Sequence, residues 1–385
     1  MNFTHGSPLF LRIRFPLALE AEICYNVGDD GNGSKSLLPG EGWQVEQGIM
    51  ERLCDTVWLD NQNVWFGRLR DIFEGDAKGP LVLNGISSWH QDYGPDGAPL
   101  YGDPERMLEA DLCALAGRME GALREDQFRP ACVEQGFYGV HFVDRIFGAE
   151  VFFKSGQWYN LYLSNPVGEL AVPDLENDGT WRLARDYAEA FFAAGTTVPL
   201  FGLPTIASAL NIAINLYGQE ILVAMMTEPE AAKRDLGIIN DVLIRLHRWY
   251  LDRFPPERIQ PVISWGRTQP PGYGQLCGCS TQLVSPALYE EFIMPLDDAL
   301  LAAYPHGGMI HLCGSHRHLI PLFARMPHLR SVQLNDRASE DLLFYAQGLR
   351  EDQVIYLIPC PGMTLERGLR IAGNRRLVVN GDYHL

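Results

Sequence analysis

The sequence predicts an α/β fold, a (β/α)₈ TIM barrel that carries an N-terminal extension. Short apolar segments alternate with helical patterns from about residue 80 onward, and eight such segments can be counted. Parallel strands joined by helical crossovers produce this alternation, and eight strands favour a closed barrel over an open sheet. The chain has 385 residues, a length that such barrels reach as one domain. We therefore expect an extension over residues 1–79 and a barrel over residues 80–385.

The eight candidate strands are short and almost continuously apolar, as strands buried on both faces are. They cover residues 80–84, 129–133, 198–202, 260–264, 308–312, 331–335, 354–358 and 376–380. Helix start signals lie between them, since Asp103 and Ser285 each precede a proline at a first helical turn. Residues 147–170 are expected to form a hairpin after the second strand. The helical-looking stretch from Val45 to Phe73 would cover the side on which no eighth helix follows the last strand.

The charge distribution argues against several classes of partner. The net charge is −17 with no run of Lys or Arg, and a surface of this sign repels nucleic-acid phosphates and anionic lipids. No window approaches ~18 consecutive apolar residues, the length of a transmembrane helix. Arg12 and Arg14 lie inside an apolar stretch, an order opposite to that of a secretory signal. We therefore expect a cytoplasmic protein that binds neither nucleic acid nor membranes.

The eight cysteines are expected to be buried residues, metal ligands or reactive thiols, because disulfides are rare in large cytosolic proteins. Four of them lie in apolar or helical segments and are interpreted as small core residues, namely Cys24, Cys54, Cys113 and Cys132. The active site of a barrel forms at the carboxyl ends of its strands. The other four lie at that predicted end and become candidates for chemistry, namely Cys277, Cys279, Cys313 and Cys360.

The segment His311-Leu-Cys313 ends the fifth candidate strand. Alternate strand residues point the same way, so both side chains can bind one ion and act as catalytic residues. Imidazole and thiolates are zinc ligands, and a third protein ligand with an open fourth position makes a zinc site catalytic. Cys360 is the first choice for the third ligand, and Cys277 and Cys279 are its rivals. A metal-free pair is the alternative, as is a packing role for Cys277 or Cys279.

Other strand ends supply further candidates. Gly202 leads into a helix whose free N–H groups could hold an anionic cofactor group, or it only begins a tight turn. Asn335, after the sixth strand, is a second candidate for cofactor binding. Tyr273 lies in a Pro/Gly-rich segment interpreted as a mobile loop over the site, and it is a candidate catalytic residue. Asp92, in the segment His90 to Tyr93, is another, although an ordinary polar loop explains it almost as well.

Several separated motifs follow one another in the order and spacing of the uroporphyrinogen decarboxylase superfamily. They are Phe147-Gly-Ala-Glu150, Gly202-Leu-Pro-Thr205, Tyr217-Gly-Gln-Glu220, Met225-Met-Thr-Glu-Pro-Glu230, the segment from Leu283 to Pro295, and His311-Leu-Cys-Gly314. The sequence resembles this superfamily over roughly residues 128–385. Residues 1–100 do not contribute to the resemblance.

The resemblance implies a (β/α)₈ barrel and one of two chemistries. One branch of the superfamily decarboxylates uroporphyrinogen without a cofactor. The other passes a methyl group from a corrinoid protein to a thiol such as coenzyme M, with zinc bound by a His-x-Cys…Cys pattern. That pattern maps onto His311 and Cys313 of this chain. The superfamily places the final cysteine after the last strand, whereas Cys360 follows the seventh candidate strand.

The decarboxylase branch has an N-terminal arginine motif that binds substrate carboxylates, and Val64-Trp-Phe-Gly-Arg-Leu-Arg70 matches only its first half. The resemblance, together with the His-x-Cys pair, therefore implies a zinc-dependent methyltransferase that uses a corrinoid protein or similar donor and a thiol acceptor. A cofactor-free decarboxylase is the first alternative, and a non-catalytic barrel that binds a ligand or a corrinoid protein is the second. The expected partners are a small-molecule substrate and a corrinoid protein, with a homodimer as a possible assembly.

Overall fold

The computed structural model describes residues 45–89 and 102–381. Asp92 and most of the predicted extension lie outside these ranges. Asp103 and Ser285 cap helices as predicted, because each side chain accepts a hydrogen bond from the backbone N–H three residues later. The described α-helices are α1 (Gln47–Leu53), α2 (Thr56–Glu74), α3 (Pro104–Met119), α4 (Phe142–Ile146), α5 (Gly179–Ala193), α6 (Ala209–Tyr217), α7 (Glu220–Thr227), α8 (Pro229–Arg253), α9 (Pro286–Leu288), α10 (Met294–Leu301), α11 (Ile320–Phe323), α12 (Arg337–Glu340), α13 (Leu342–Gly348) and α14 (Leu365–Ala372).

Most strands belong to two parallel sheets. The described strands are β1 (Leu81–Leu83), β2 (Ile86–Trp89), β3 (Ala131–Glu134), β4 (Val151–Lys154), β5 (Gln157–Asn160), β6 (Leu200–Gly202), β7 (Ile259–Gln260), β8 (Gly274–Cys277), β9 (Gly308–Leu312), β10 (Leu329–Leu334), β11 (Val354–Leu357) and β12 (Leu377–Asn380). One sheet has the order β1-β12-β11-β10-β9-β8 and the other the order β2-β3-β6-β7. Strands β4 and β5 form an antiparallel hairpin, which confirms the hairpin predicted after the second strand.

The two sheets are continuous through the β1–β2 segment. Strand β1 pairs with β12, and β2, which follows after two residues, pairs with β3. The Asn84 N–H between them donates to the Phe128 carbonyl at 2.7 Å, which extends the pairing across the break. Apart from the hairpin and the β1–β12 pair, neighbours in the sheets follow one another along the chain, as they do in a barrel.

The other edges, β7 and β8, are not paired with each other among the residues described. The predicted strand 260–264 is therefore wrong in its extent, since β7 ends at Gln260 and β8 lies where the sequence predicts a loop. The connecting segment is rich in proline, which has no N–H to donate to a sheet, with Pro261, Pro270 and Pro271. A hydrogen bond of 2.6 Å from the Cys277 N–H to the Ile206 carbonyl joins the sheets near this gap. The architecture is a mixed α/β fold with parallel sheets.

Both faces of the strands are buried. The outer faces pack against the helices in one large apolar cluster, which we call the outer cluster and which includes Ile310 and Leu312 of β9. The inner faces of strands from both sheets form a second set with one face of α2, which we call the interior cluster. It contains Trp65, Phe66, Leu69, Ile72, Phe73, Leu81, Leu83, Phe128, Cys132, Leu200, Ile263, Tyr273, Met309, Val354, Tyr356 and Val378. Side chains from both sheets and from α2 therefore pack together in one cluster.

Helix α2 covers the amino ends of the strands. Arg330, near the start of β10, donates to the Phe73 carbonyl at 3.4 Å. Arg376, just before β12, donates to the Gly75 carbonyl at 2.8 Å. The apolar face of α2 enters the interior cluster from this end. The carboxyl ends of the strands are thus the end at which a site can form.

Helices α6 and α7 are rich in apolar residues. No single helix in residues 45–89 and 102–381 is long and apolar enough to cross a membrane. Only together do α6 and α7 reach the length and apolar composition of a membrane-spanning helix, and the pair is bent by 109° where the two helices join. Their buried side chains, such as Leu210 and Ile221, pack in the outer cluster.

Candidate metal centre

Three neighbouring strands place polar side chains side by side. In the register of the six-stranded sheet, His311 of β9 lies between Cys277 of β8 and Gln333 of β10. The adjacent Leu276 and Ile310 point to the outer cluster, and strand side chains alternate between faces. The three polar side chains therefore point to the interior, near the carboxyl ends of their strands.

The turn after β8 brings a second thiol to this row. A short 3₁₀-helix, Cys279–Leu283, begins two residues after Cys277, and the Gly278 N–H donates to the His311 carbonyl at 2.8 Å. A Cβ on residue 278 would lie 2.5 Å from Cδ1 of Ile310. Glycine at this position thus allows the turn to approach β9 closely.

The cysteines and His311 form a single group, which we call the Cys/His cluster. The ligand atoms of Cys277, Cys279 and His311 all lie within 4.8 Å of one another. The Cys313 Sγ lies 3.2 Å from Nε2 of His311. The Cys279 Sγ lies 3.9 Å from the His311 carbonyl oxygen, and the three cysteines affect one another's pKa. One imidazole and three thiols thus converge, as Cys277, Cys279, His311 and Cys313.

Gln333 orients the histidine. Its Oε1 accepts a short hydrogen bond from His311 Nδ1. Because an amide oxygen can only accept, Nδ1 carries a proton, and Nε2 is the nitrogen that faces Cys313. Metal-binding histidines are held in this way by a partner on the second nitrogen.

The thiols titrate very differently. A hydrogen bond from the Cys279 thiol lowers the pKa of Cys313 to about 4, and His311 acts in the same direction. The same donor lowers the pKa of Cys277 to about 6. The hydrogen bonds to Cys277 and Cys313 raise the pKa of Cys279 well above its usual value. Two sulfurs are thus prepared as thiolates, and thiolate is the form that binds a metal.

The donor set fits zinc. Zinc is bound by thiolate and imidazole in tetrahedral sites, and Cys₃His is one of its common ligand sets. The cluster offers these donors on two strand ends and one turn, with the histidine oriented by Gln333. Cys277, Cys279 and His311 are close enough together to hold one ion, and the fourth coordination position would remain for Cys313 or for a substrate.

Cys360 lies apart from this group in the structure. It follows β11 in a turn that pairs with Met363, and its thiol lies 3.8 Å from the Asp336 carbonyl. The structure thus brings Cys277 and Cys279, the rival candidates, to His311. Cys360 is not among the described residues whose ligand atoms lie within 4.8 Å of one another.

The remaining candidates fall at different distances from the cluster. Asn335 is adjacent, with Nδ2 3.6 Å from the Cys313 sulfur. Gly202 packs on β3, since a Cβ there would lie 2.6 Å from Cγ of Glu134. The next helix begins only at Ala209 and is capped by Ser208, so Gly202 does not open a helix. Asp92 lies outside the described residues.

Tyr273 lies at the opposite end of β8. It is 2% exposed, its ring packs 4.7 Å from that of Phe73, and its hydroxyl donates to Glu74 at 3.0 Å. Both partners belong to the end of α2. The interpretation of this segment as a mobile loop over the site is therefore wrong for Tyr273, which packs against α2 at the amino ends of the strands.

Sequence reasoning missed Gln333 and Arg267. Gln333 lies between Ser331 and Asn335 in a candidate strand, and three polar residues at alternate positions were a signal that this face is not purely apolar. Arg267 lies in the segment before β8, and its charge acts on the cysteines and on Glu134. No sequence pattern pointed to it, because its position depends on the path of that segment.

No protein-family model and no curated protein matches the sequence. Among solved structures, the fold is similar to that of a methyltransferase from Methanosarcina mazei, with a TM-score of 0.54 at 13% sequence identity. The match covers 81% of this chain and 91% of that chain. At this level of identity the similarity concerns the fold.

Proposed function

We propose that this protein is a zinc-dependent methyltransferase of the uroporphyrinogen decarboxylase superfamily, which passes a methyl group from a corrinoid protein or similar donor to a thiol. The observation that carries the proposal is the convergence of one imidazole and three thiols at the carboxyl ends of β8 and β9. The donors are those that zinc prefers. The similarity of fold to a methyltransferase supports the same class of reaction.

The proposal includes closure of the two sheets into one (β/α)₈ barrel. The interior cluster draws side chains from both sheets, and α2 covers one end of it. The hydrogen bond from Cys277 to Ile206 lies near the gap between β7 and β8. In a barrel, the Cys/His cluster occupies the end at which active sites form.

The residues of the cluster have distinct parts in the reaction. When bound, zinc supplies the acidity that makes an acceptor thiol a thiolate near neutral pH. His311 and the cysteine thiolates would hold the ion, and Gln333 keeps the histidine in the tautomer that binds. The acceptor sulfur forms the new bond to the methyl carbon, the bond from that carbon to the donor breaks, and its electron pair stays with the donor. The thiol proton passes to solvent.

The zinc content of protein purified without chelator tests the proposal. We expect stoichiometric zinc in the native chain and its loss in His311→Ala and Cys277→Ser. Cys360→Ser is the matched control, because that thiol lies outside the cluster, and it should retain the metal. A folded native protein without zinc, even after incubation with the ion, would contradict the proposal.

No observation favours the decarboxylase alternative at this site. The half-matching arginine motif lies on α2, where Arg68 stacks over the Trp65 ring at 4.7 Å. Helix α2 covers the amino ends of the strands, away from the Cys/His cluster. Tetrapyrrole turnover that survives His311→Ala combined with Cys313→Ala would nevertheless support decarboxylation over methyl transfer.

A further inference from the structure

A cavity beside the amino end of α5 shares no lining residue with the Cys/His cluster. Its volume is about 570 Å³, which lies within the ~300–1,000 Å³ range of small-molecule sites. The polar and aromatic part of its wall comes from the segment after β3 and from the start of α5, and consists of Tyr138, Arg145, Asp178, Gly179 and Thr180.

The amino end of α5 offers free hydrogen-bond donors to this cavity. The side chain of Asp178 accepts from the Trp181 N–H at 2.6 Å, and its carbonyl accepts from the Arg182 N–H at 3.0 Å. The N–H groups of Gly179 and Thr180 have no partner in the part of the chain that the structure describes. Free N–H groups and the helix dipole together favour a bound anion at such a helix end.

The hydroxyl of Thr180 is a second donor at the same place. Thr180 is only 7% exposed, and the small surface that it retains lines the cavity. Among the described residues nothing hydrogen-bonds to this hydroxyl. Because hydroxyls buried to this extent normally have a partner, an oxygen of a bound ligand is the group that would complete it.

Two guanidinium groups lie near these donors without an acidic partner. Arg145 lines the cavity and stacks over the Tyr138 ring at 4.8 Å. Nη2 of Arg182 lies 3.9 Å from the point that a Cβ on Gly179 would occupy. Neither arginine forms an ion pair with an acidic residue in the described ranges. A cation beside the amino end of a helix is unfavourable by itself, and a bound anion would stabilise both the helix end and the arginine.

Gly179 leaves the helix backbone open to a ligand. It is the first residue of α5, and glycine is among the least favourable residues in a helix. A Cβ at this position would contact no atom more closely than Nη2 of Arg182, at 3.9 Å, and the residue has no positive φ. Packing therefore does not require glycine here, whereas close approach of a ligand to the backbone N–H groups does.

We propose that this cavity binds the phosphate group of a small phosphorylated molecule. The phosphate would accept hydrogen bonds from the Gly179 and Thr180 N–H groups and the Thr180 hydroxyl, and would pair with Arg145 and Arg182. Donors that approach from the backbone, a hydroxyl and two guanidinium groups suit an anion with several oxygens and two negative charges. The volume leaves room for the rest of the ligand beside Tyr138. The site needs no zinc, so it goes beyond the proposed function.

Calorimetric titration in a buffer without phosphate or sulfate tests the proposal. The probes are phenyl phosphate and inorganic phosphate, and the comparison ligands are phenylacetate, with a single-charged planar anion, and phenol, with no charge. We expect phenyl phosphate to bind one-to-one and at least 10-fold more tightly than either comparison ligand, and inorganic phosphate to displace it. Absence of saturable binding, or equal binding of phenyl phosphate and phenylacetate, would overturn the proposal.

Substitutions assign the binding to this cavity. Arg145→Gln and Thr180→Val should each weaken phenyl phosphate binding by about 10-fold or more, since each removes a hydrogen bond to a charged group. Asp178→Asn should strengthen it, because asparagine caps a helix as well as aspartate does and removes a negative charge from the cavity wall. Arg370→Gln is the control, since this arginine pairs with Glu366 on α14, and it should bind as the native chain does. Native affinity in Arg145→Gln and Thr180→Val would overturn the assignment.

Gly179→Ala separates a role in binding from a role in folding. Alanine favours the helix and has room at this position, so the melting temperature should stay the same or rise. Its methyl group would nevertheless obstruct the phosphate and weaken binding. A lower melting temperature with native affinity would contradict the proposal. Zinc content should be native in all these variants, so that failure of the phosphate site and failure of the proposed function are distinguishable.

Discussion

The side-chain amide oxygen of Gln333 accepts a hydrogen bond from Nδ1 of His311 and so keeps a proton on that nitrogen. Gln333→Leu should weaken zinc binding by about 10- to 100-fold, the usual effect of removing the hydrogen-bond partner of a metal-bound histidine. Gln333→Glu should retain most of the affinity, because a carboxylate accepts the same hydrogen bond from Nδ1. Competition with a chromogenic zinc chelator measures both values. Equal affinities in the Leu and Glu variants would show that the amide does not orient the ring.

Asp297 is a buried acid whose ionisation opposes folding at neutral pH. Burial raises its pKa to about 7, whereas an unfolded aspartate titrates near ~3.9. The folded state thus holds the proton more tightly, so this residue makes stability fall as pH rises from about 4 to about 7. At pH 8 the cost is of order 4 kcal/mol for a shift of this size.

Asp297→Asn should remove that loss, since an amide can still accept the hydrogen bond from Tyr289. We expect the variant to gain stability relative to the native chain between pH 5 and pH 8, as measured by urea denaturation. The exposed Asp174→Asn is the control and should show no such gain. A pH-independent difference for Asp297→Asn would contradict the raised pKa.

The metal ligands could be predicted from the sequence only in part. His311-Leu-Cys313 was identifiable because alternate residues of an apolar strand share a face, and the structure places both in the cluster. The choice among the other cysteines depended on where the strands end. Cys360 follows a strand but enters a turn with Met363, and a turn direction is a tertiary property that residue spacing does not reveal.

Helix α2 is the element that closes the interior at the amino ends. Leu69 is fully buried on its inner face, whereas Val64 on the same helix is 55% exposed. Leu69→Ala should lower the free energy of unfolding by about 2–5 kcal/mol, because it leaves a cavity in a packed core. Val64→Ala is the matched control, and surface changes of this kind usually stay within about 0.5 kcal/mol. Chemical denaturation compares them, and equal losses would contradict the packing of α2 described above.

Strand β8 lies where the sequence predicts a loop, and the reason is physical. Gly274 to Cys277 is a short segment that follows Pro270, Pro271 and Gly272, and these residues are typical of loops. Its strand conformation comes from pairing with β9, where Gln275 lies opposite Met309. Long-range pairing thus overrode the local signal. The β4–β5 hairpin was predictable because its signal is local, with a turn at Ser155 and Gly156 between two aromatic strands.

At the scale of the whole molecule, zinc binding should couple to stability. The proposed ligands come from the end of β8, the following turn and β9, so the ion would hold separate segments together. A ligand that binds only the folded state stabilises it by about 2.7 kcal/mol at 100 times its dissociation constant. A chelator should therefore lower the melting temperature of the native protein by a few degrees. The melting temperature of Cys277→Ser should not respond, and an equal response would place the metal elsewhere.

The position of α2 has a consequence for the order of events in catalysis. Its apolar face fills the interior from the amino ends of the strands, so in the part of the chain that is described the cluster can be approached only from the carboxyl ends. A methyl donor and a thiol would share this one entrance, and the smaller molecule would have to be in place before the larger one covers it. Such a sequence gives compulsory-order kinetics, in which the large donor at saturating concentration traps a bound thiol and slows its exchange.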